Sequence, residues 1–124
     1  MLKIQNYING ELIEPVGKKY LDNYNPATGK AYSLIPDSDE KDVQLAVDAA
    51  NAAFPKWAHT PKEERSRIMM KIADLIDKNF EKLAIAESID HGKPVWLAKM
   101  VDIPRASANM RFYATGILHF ASEA

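Results

Sequence analysis

Hydrophobic and polar positions follow a period of two through the first third of the chain and a period of about 3.6 thereafter, which predicts strands followed by helices. Ile4, Asn6 and Ile8 mark one extended run, Asn9-Gly10 supplies the two positive-φ positions of a tight hairpin turn, and Leu12 and Ile13 form the return. Pro15, Gly17, Lys18 and Lys19 make a polar break. A second extended run, Tyr20 to Tyr24, ends in the turn string NPATG at residues 25–29, and Ala31 to Ile35 returns from it. Pro36-Asp37-Ser38 closes the β part, and Asp39, Glu40 and Asp42 crowd the first turn of a helix, whose dipole favours acids there.

Val43, Ala46, Val47, Ala50, Ala53 and Phe54 then line one helical face, and Pro55 is expected to end that helix. Thr60-Pro61-Lys62-Glu63 has capping-box order and opens a second helix with Ile68, Ile72, Leu75 and Ile76 as its buried stripe. A third helix around Phe80, Leu83 and Ala84 runs to Asp90, with Gly92 as a left-handed stop. Pro94 and Pro104 flank a short helical piece. A last helix, with Asp102 as its expected cap, carries Ala106, Met110, Tyr113, Ile117 and Phe120 on one face. The third and last helices are apolar on more than one side, which is the pattern of helices buried among several neighbours. Four helices and two hairpins supply few neighbours, so the chain reads as unfinished.

Composition narrows the chemistry. In 124 residues, 47% hydrophobic and 27% charged, there is material for one modest core. A formal net charge of −1 argues against a nucleic-acid partner, which a clustered basic excess would signal. The absence of cysteine removes disulfides, thiolate metal sites and a thiol nucleophile. The opening residues turn polar too early for a signal peptide, and no apolar run approaches the ~20 residues of a membrane span, so a cytoplasmic location is expected. Gly10, Gly17, Gly29, Gly92 and Gly116 are too scattered for a dinucleotide fingerprint or a phosphate-cradling loop. His59, His91 and His119 lack metal-ligand spacing and receive no catalytic role. The charged residues from Lys62 to Lys71, with Asp74 and Asp77, read as the solvent face of the second helix.

Two charged residues stand out. Asp90 lies at the negative end of its helix dipole and calls for a nearby positive charge, either Lys93 or a hard cation shared with backbone carbonyls. Arg105 follows a proline in the first turn of the last helix, where its guanidinium either pairs with Asp102 or is held out for a carboxylate ligand.

Taken together, YINGEL, NPATG, AAFPKW, the helix with ERSRI, SIDHGKP and DIPRASANMRFYA closely resemble, in that order over nearly the whole chain, the start of the aldehyde dehydrogenase superfamily. DIPR followed by NMRFYA and ILHFASEA is most similar to the branch that oxidises aminomuconic and hydroxymuconic semialdehydes, ahead of betaine-aldehyde-type enzymes; Met110 departs from that branch, where an aromatic residue is usual. The resemblance implies a parent of α/β fold that oxidises an aldehyde to an acid with NAD, through a cysteine thiolate and a base glutamate. It implies that residues 1–124 are an α+β segment of the Rossmann-like NAD-binding domain, hairpins over 1–36 and helices over 37–124, without the catalytic and oligomerisation regions. Such a segment is expected to be inactive alone and to bind no NAD.

The same resemblance nominates Asn23 and Tyr24, through their carbonyls, and Asp90 as part of a monovalent cation site for sodium or potassium, and Arg105 as a contact to the substrate carboxylate. Its implied partners are the remainder of the dehydrogenase chain, in a parent that is a homo-oligomer. The alternative is a free-standing helical interaction module that uses its surplus apolar faces to bind a partner or itself. Neither reading involves nucleic acid or a membrane.

Overall fold

A computed structural model describes residues 1–121; the last three residues of the ILHFASEA string lie outside them. The chain divides into two compact units, Met1–His59 and Thr60–Ala124, so the first helix groups with the hairpins.

In the first unit, β2 (Asn6–Ile8) and β3 (Glu11–Ile13) form the expected hairpin, with Asn6 opposite Ile13 and Ile8 opposite Glu11. Asn9 and Gly10 have φ of 53° and 84°, the two left-handed positions that let a two-residue turn match the strand twist. β4 (Tyr20–Asn25) and β5 (Lys30–Pro36) pair antiparallel, and the connecting NPATG turn is closed by the Asn25 carbonyl, which accepts from Gly29 N–H at 2.8 Å. Asn25 Oδ1 also accepts from Ala27 N–H at 2.9 Å, the local side-chain mimic of a turn that favours Asn here.

One strand was not foreseen. β1 (Leu2–Lys3) adds in parallel to β5, giving the order β1-β5-β4, and Ile4 N–H donates to Leu34 O at 2.8 Å. Two residues are too few to display a period, so only the pairing reveals it. The polar break is a turn in which Lys18, at φ 53°, takes the left-handed position and Pro15 is fully buried.

Helix α1 (Glu40–Ala58) opens with a reciprocal cap: Asp39 Oδ1 accepts from Lys41 N–H at 2.9 Å, and Asp42 Oδ2 accepts from Asp39 N–H at 3.0 Å. Asp42 is buried and its other oxygen accepts from Val16 N–H at 2.8 Å, tying the turn after β3 to the helix start. Contrary to expectation, Pro55 does not end α1, which continues to Ala58. The ring removes one amide donor, but the Pro55 carbonyl still accepts from His59 N–H, so the last turn remains closed. The apolar face of α1 is uncovered: Val43 and Val47 are exposed and Phe54 is 65% accessible.

The second unit is helical. Helix α2 (Lys62–Lys78) starts one position later than the Thr60 cap expected, with Pro61 in the cap position, and the Pro61 carbonyl accepts from Glu64 and Arg65 N–H. Helix α3 (Phe80–His91) stops at Gly92, whose φ of 80° is the left-handed stop expected. A short α4 (Val95–Leu97) leads through a π-helical turn, Ala98–Asp102, into α5 (Ile103–His119). Ile103 N–H reaches back five residues to Ala98 O. The widened turn makes room for Pro104, whose ring would otherwise press on a carbonyl of the preceding turn.

The main contact in this unit is between α2 and α5. Lys62 Nζ reaches Leu118 O, and Arg111 reaches Asp74 and Asp77, so the two helices run antiparallel. The buried positions are small: Ser66 and Ala73 on α2, Ser107 and Ala114 on α5, each pair seven residues apart and thus on one face. A small cluster of Ala84, Ala98 and Ile103, with Ile76, Phe80 and Leu83 around it, joins α3 to the π turn and α5. The stripe expected on α5 is displaced by one residue, roughly 100° around the axis. Ser107 and Ala114 face the neighbour, while of the expected stripe Ala106, Met110, Tyr113 and Phe120 are exposed and Ile117 is half-buried. Small side chains let the backbones approach, and the large apolar ones have no neighbour in the unit to cover them. No helix among the described residues is long and apolar enough to cross a membrane.

Candidate functional site

The charged cluster at the α3–α5 corner is built by the chain reversal at Gly92. Ser88 Oγ–H donates to Lys93 O at 2.6 Å, fixing the backbone just past the left-handed residue. Lys93 is thereby turned inward, with its side chain only 16% exposed, and its ammonium lies 2.8 Å from Asp102 Oδ2 and 2.9 Å from Glu87 Oε1. Hydrogen bonds to Asp102 first and Glu87 second push the Lys93 ammonium above the usual lysine range, so it is charged at any physiological pH.

This arrangement bears on both sequence alternatives. Asp102 does not cap α5, because its backbone is already helical and its carboxylate serves Lys93. Arg105 sits exposed in the first turn of α5, and among the described residues no hydrogen bond or ion pair engages its guanidinium. The expected local alternative, a pair with Asp102, is not formed; the Asp102 carboxylate meets Lys93. Lys93 was the expected local partner of Asp90; its ammonium contacts are Glu87 and Asp102. Glu87 was not singled out from sequence. It lies six residues before Lys93, a spacing that matters only once Gly92 has folded the chain back.

The nominated cation residues fall in different units. Asn23 and Tyr24 lie on β4 where the ladder slips: Asn23 faces Ser33 and Tyr24 faces Ala31, leaving Tyr32 as the extra residue on β5. Asn23 Nδ2–H donates to Tyr32 Oη at 3.0 Å, and Tyr24 Oη–H donates to Asp22 Oδ2 at 3.3 Å. Asp90 is exposed in the last turn of α3. No group of three or more His, Cys, Asp or Glu side chains among the described residues is placed to hold a metal ion.

Asp74 and Asp77, read from sequence as solvent-facing, take a cation from another helix. Arg111 Nη2–H donates to Asp74 at 2.9 Å and to Asp77 at 2.6 Å. The Ser107 hydroxyl, and after it Arg111, hold the Asp77 carboxyl below the ordinary carboxylate range.

The model of the aldehyde dehydrogenase family matches residues 13–124. The chain belongs to the aldehyde dehydrogenase family. It is 44% identical over 123 residues to the 2-aminomuconic semialdehyde dehydrogenase of Bos taurus, covering 99% of this chain and 25% of that protein. It is also 44% identical over 110 residues to acetaldehyde dehydrogenase 2 of Cupriavidus necator, covering 89% of this chain and 22% of that protein. Among solved structures, the NAD+ complex of an aldehyde dehydrogenase from Bacillus cereus superposes with a TM-score of 0.93 at 36% identity, over 98% of this chain and 25% of that one. The α+β arrangement of hairpins and helices is thus part of an aldehyde dehydrogenase fold, and the chain spans about a quarter of the length of the relatives it matches.

Proposed function

We propose that this chain is the opening segment of the NAD-binding domain of an aldehyde dehydrogenase whose substrate is a carboxylate-bearing semialdehyde of the muconic type, and that Arg105 meets the substrate carboxylate. The observation that carries this reading is the exposed Arg105 guanidinium, left without a described partner while the neighbouring Asp102 serves Lys93. A planar, permanently charged fork at the start of a helix suits a carboxylate better than an ammonium would. The similarity to 2-aminomuconic semialdehyde dehydrogenases supports the same substrate class.

In the parent, NAD would supply the hydride acceptor and a cysteine thiolate the nucleophile; this segment holds no cysteine, and the base glutamate and the cofactor's phosphate-binding glycines belong to the remainder of the chain in this reading. The segment supplies scaffold, the Arg105 contact and, through the Asn23 and Tyr24 carbonyls and Asp90, part of a monovalent cation site. Its partner is the remainder of the dehydrogenase chain, which covers the apolar faces left exposed here. Alone, it has no dehydrogenase activity.

Arg105→Ala, placed in a full-length enzyme carrying this segment, is expected to raise KM for a carboxylate-bearing aldehyde about tenfold or more, the scale of one charged hydrogen-bonded contact. KM for a neutral aldehyde should stay within twofold of the parent value, by the same argument roughly nothing being lost. Equal losses on the two substrates would refute the assignment.

A further inference from the structure

We infer that Lys93 is a positioning residue for Arg105: by engaging Asp102, it keeps the neighbouring guanidinium available to an anionic ligand. The inference rests on the reading of Arg105 given above.

Asp102 and Arg105 are three residues apart on continuous right-handed helical backbone, the spacing at which side chains share a helix face and opposite charges pair. Nothing in the α5 sequence prevents that pair. What prevents it is a cation delivered from outside the helix. Gly92 turns the chain, Ser88 anchors the Lys93 carbonyl, and the Lys93 ammonium arrives 2.8 Å from Asp102 Oδ2 while Glu87 holds it from α3 at 2.9 Å. Lys93 is largely enclosed, and an ammonium withdrawn from water between two carboxylates is held more firmly than an exposed surface pair. Lys99, the next cation along the chain, is committed to Glu81 at 2.6 Å and is no substitute. Without Lys93, Asp102 has Arg105 as its helix-face cation, and the guanidinium is then neutralised before substrate arrives.

The test uses a full-length enzyme carrying this segment, assayed with one carboxylate-bearing and one neutral aldehyde. Lys93→Met is expected to raise KM for the carboxylate-bearing aldehyde about fivefold, the competition set by one helix-face ion pair at the upper end of the surface range. Its kcat and its KM for the neutral aldehyde should be unchanged, and Lys93→Arg should behave as the parent. Adding Asp102→Asn to Lys93→Met should restore KM, whereas adding Glu87→Gln, which changes net charge equally, should not.

Equal effects of Lys93→Met on both aldehydes, or equal rescue by the two second substitutions, would overturn the role. Arg105→Ala run in parallel separates the two ideas. If it fails to discriminate between the aldehydes, both fall; if it discriminates and Lys93→Met does not, only the role of Lys93 falls.

Discussion

Arg111 holds two carboxylates of α2 from α5, and the Ser107 hydroxyl helps to keep the Asp77 carboxyl below its ordinary range, so the helix contact carries a titratable strap at its edge. The folded chain lowers the Asp77 pKa, so the unfolded chain binds more protons around the ordinary carboxylate value of about 3.9. Stability from this residue is therefore fully present above about pH 4 and is lost as pH falls further. Asp77→Asn is expected to flatten that acid-side loss, read as helical circular dichroism against pH, because it removes above about pH 4 the same stabilisation that the parent chain loses on acidification, a small one since the groups are largely exposed. An acid limb identical to that of the parent chain would show that Asp77 does not couple to the α2–α5 contact. Asp74 and Asp77 were legible as a charged face. Their partner was not, because Arg111 lies more than thirty residues away and only packing brings it near.

At the scale of elements, local chemistry was a good guide wherever a single backbone position had no alternative. Asn9-Gly10 and Gly92 adopt left-handed conformations that few other residues tolerate, and the hairpin and the α3 stop follow directly. The two proline expectations behaved differently. Pro55 lies inside the last turn of α1 at the loss of one donor, whereas Pro104 is accommodated by a π-helical turn. Pro104→Ala restores an amide that can donate four residues back, and it is expected to tighten Ala98–Asp102 to ordinary α geometry. Hydrogen-exchange protection of the new residue 104 amide, which the proline lacks, would report that change. A wide turn that persists would mean that burial of Ala98 and Ile103, rather than the ring, sets it. The register of α5 likewise depends on packing: the apolar stripe read from sequence and the buried stripe differ by one residue, since closeness of approach favours Ser107 and Ala114 over larger neighbours.

Across the whole chain, large apolar side chains are exposed in each unit, among them Phe54 and Val43 on α1 and Phe112, Tyr113 and Phe120 at and beyond α5. Surface of this kind costs free energy in water and is covered when a partner is available. The isolated chain is expected to bind a hydrophobic dye and to sediment as concentration-dependent aggregates; a defined oligomer with cooperative unfolding would favour the free-standing module. A compact monomer that binds no dye would contradict both readings.

Periodicity and turn chemistry were enough to establish the strand-then-helix order, the hairpin turns, the start of α1 and the stop of α3, because each depends on residues within a few positions of one another. The ordered set of short strings was enough for the family. Three features were settled only by the packed chain: the parallel β1–β5 pair, the face that α5 presents to α2, and the capture of Asp102 by Lys93. Each joins groups whose meeting depends on how intervening backbone reverses direction. For Arg105 the residues alone favoured a local pair with Asp102, and the packed chain instead sets Asp102 against the lysine delivered by the Gly92 turn.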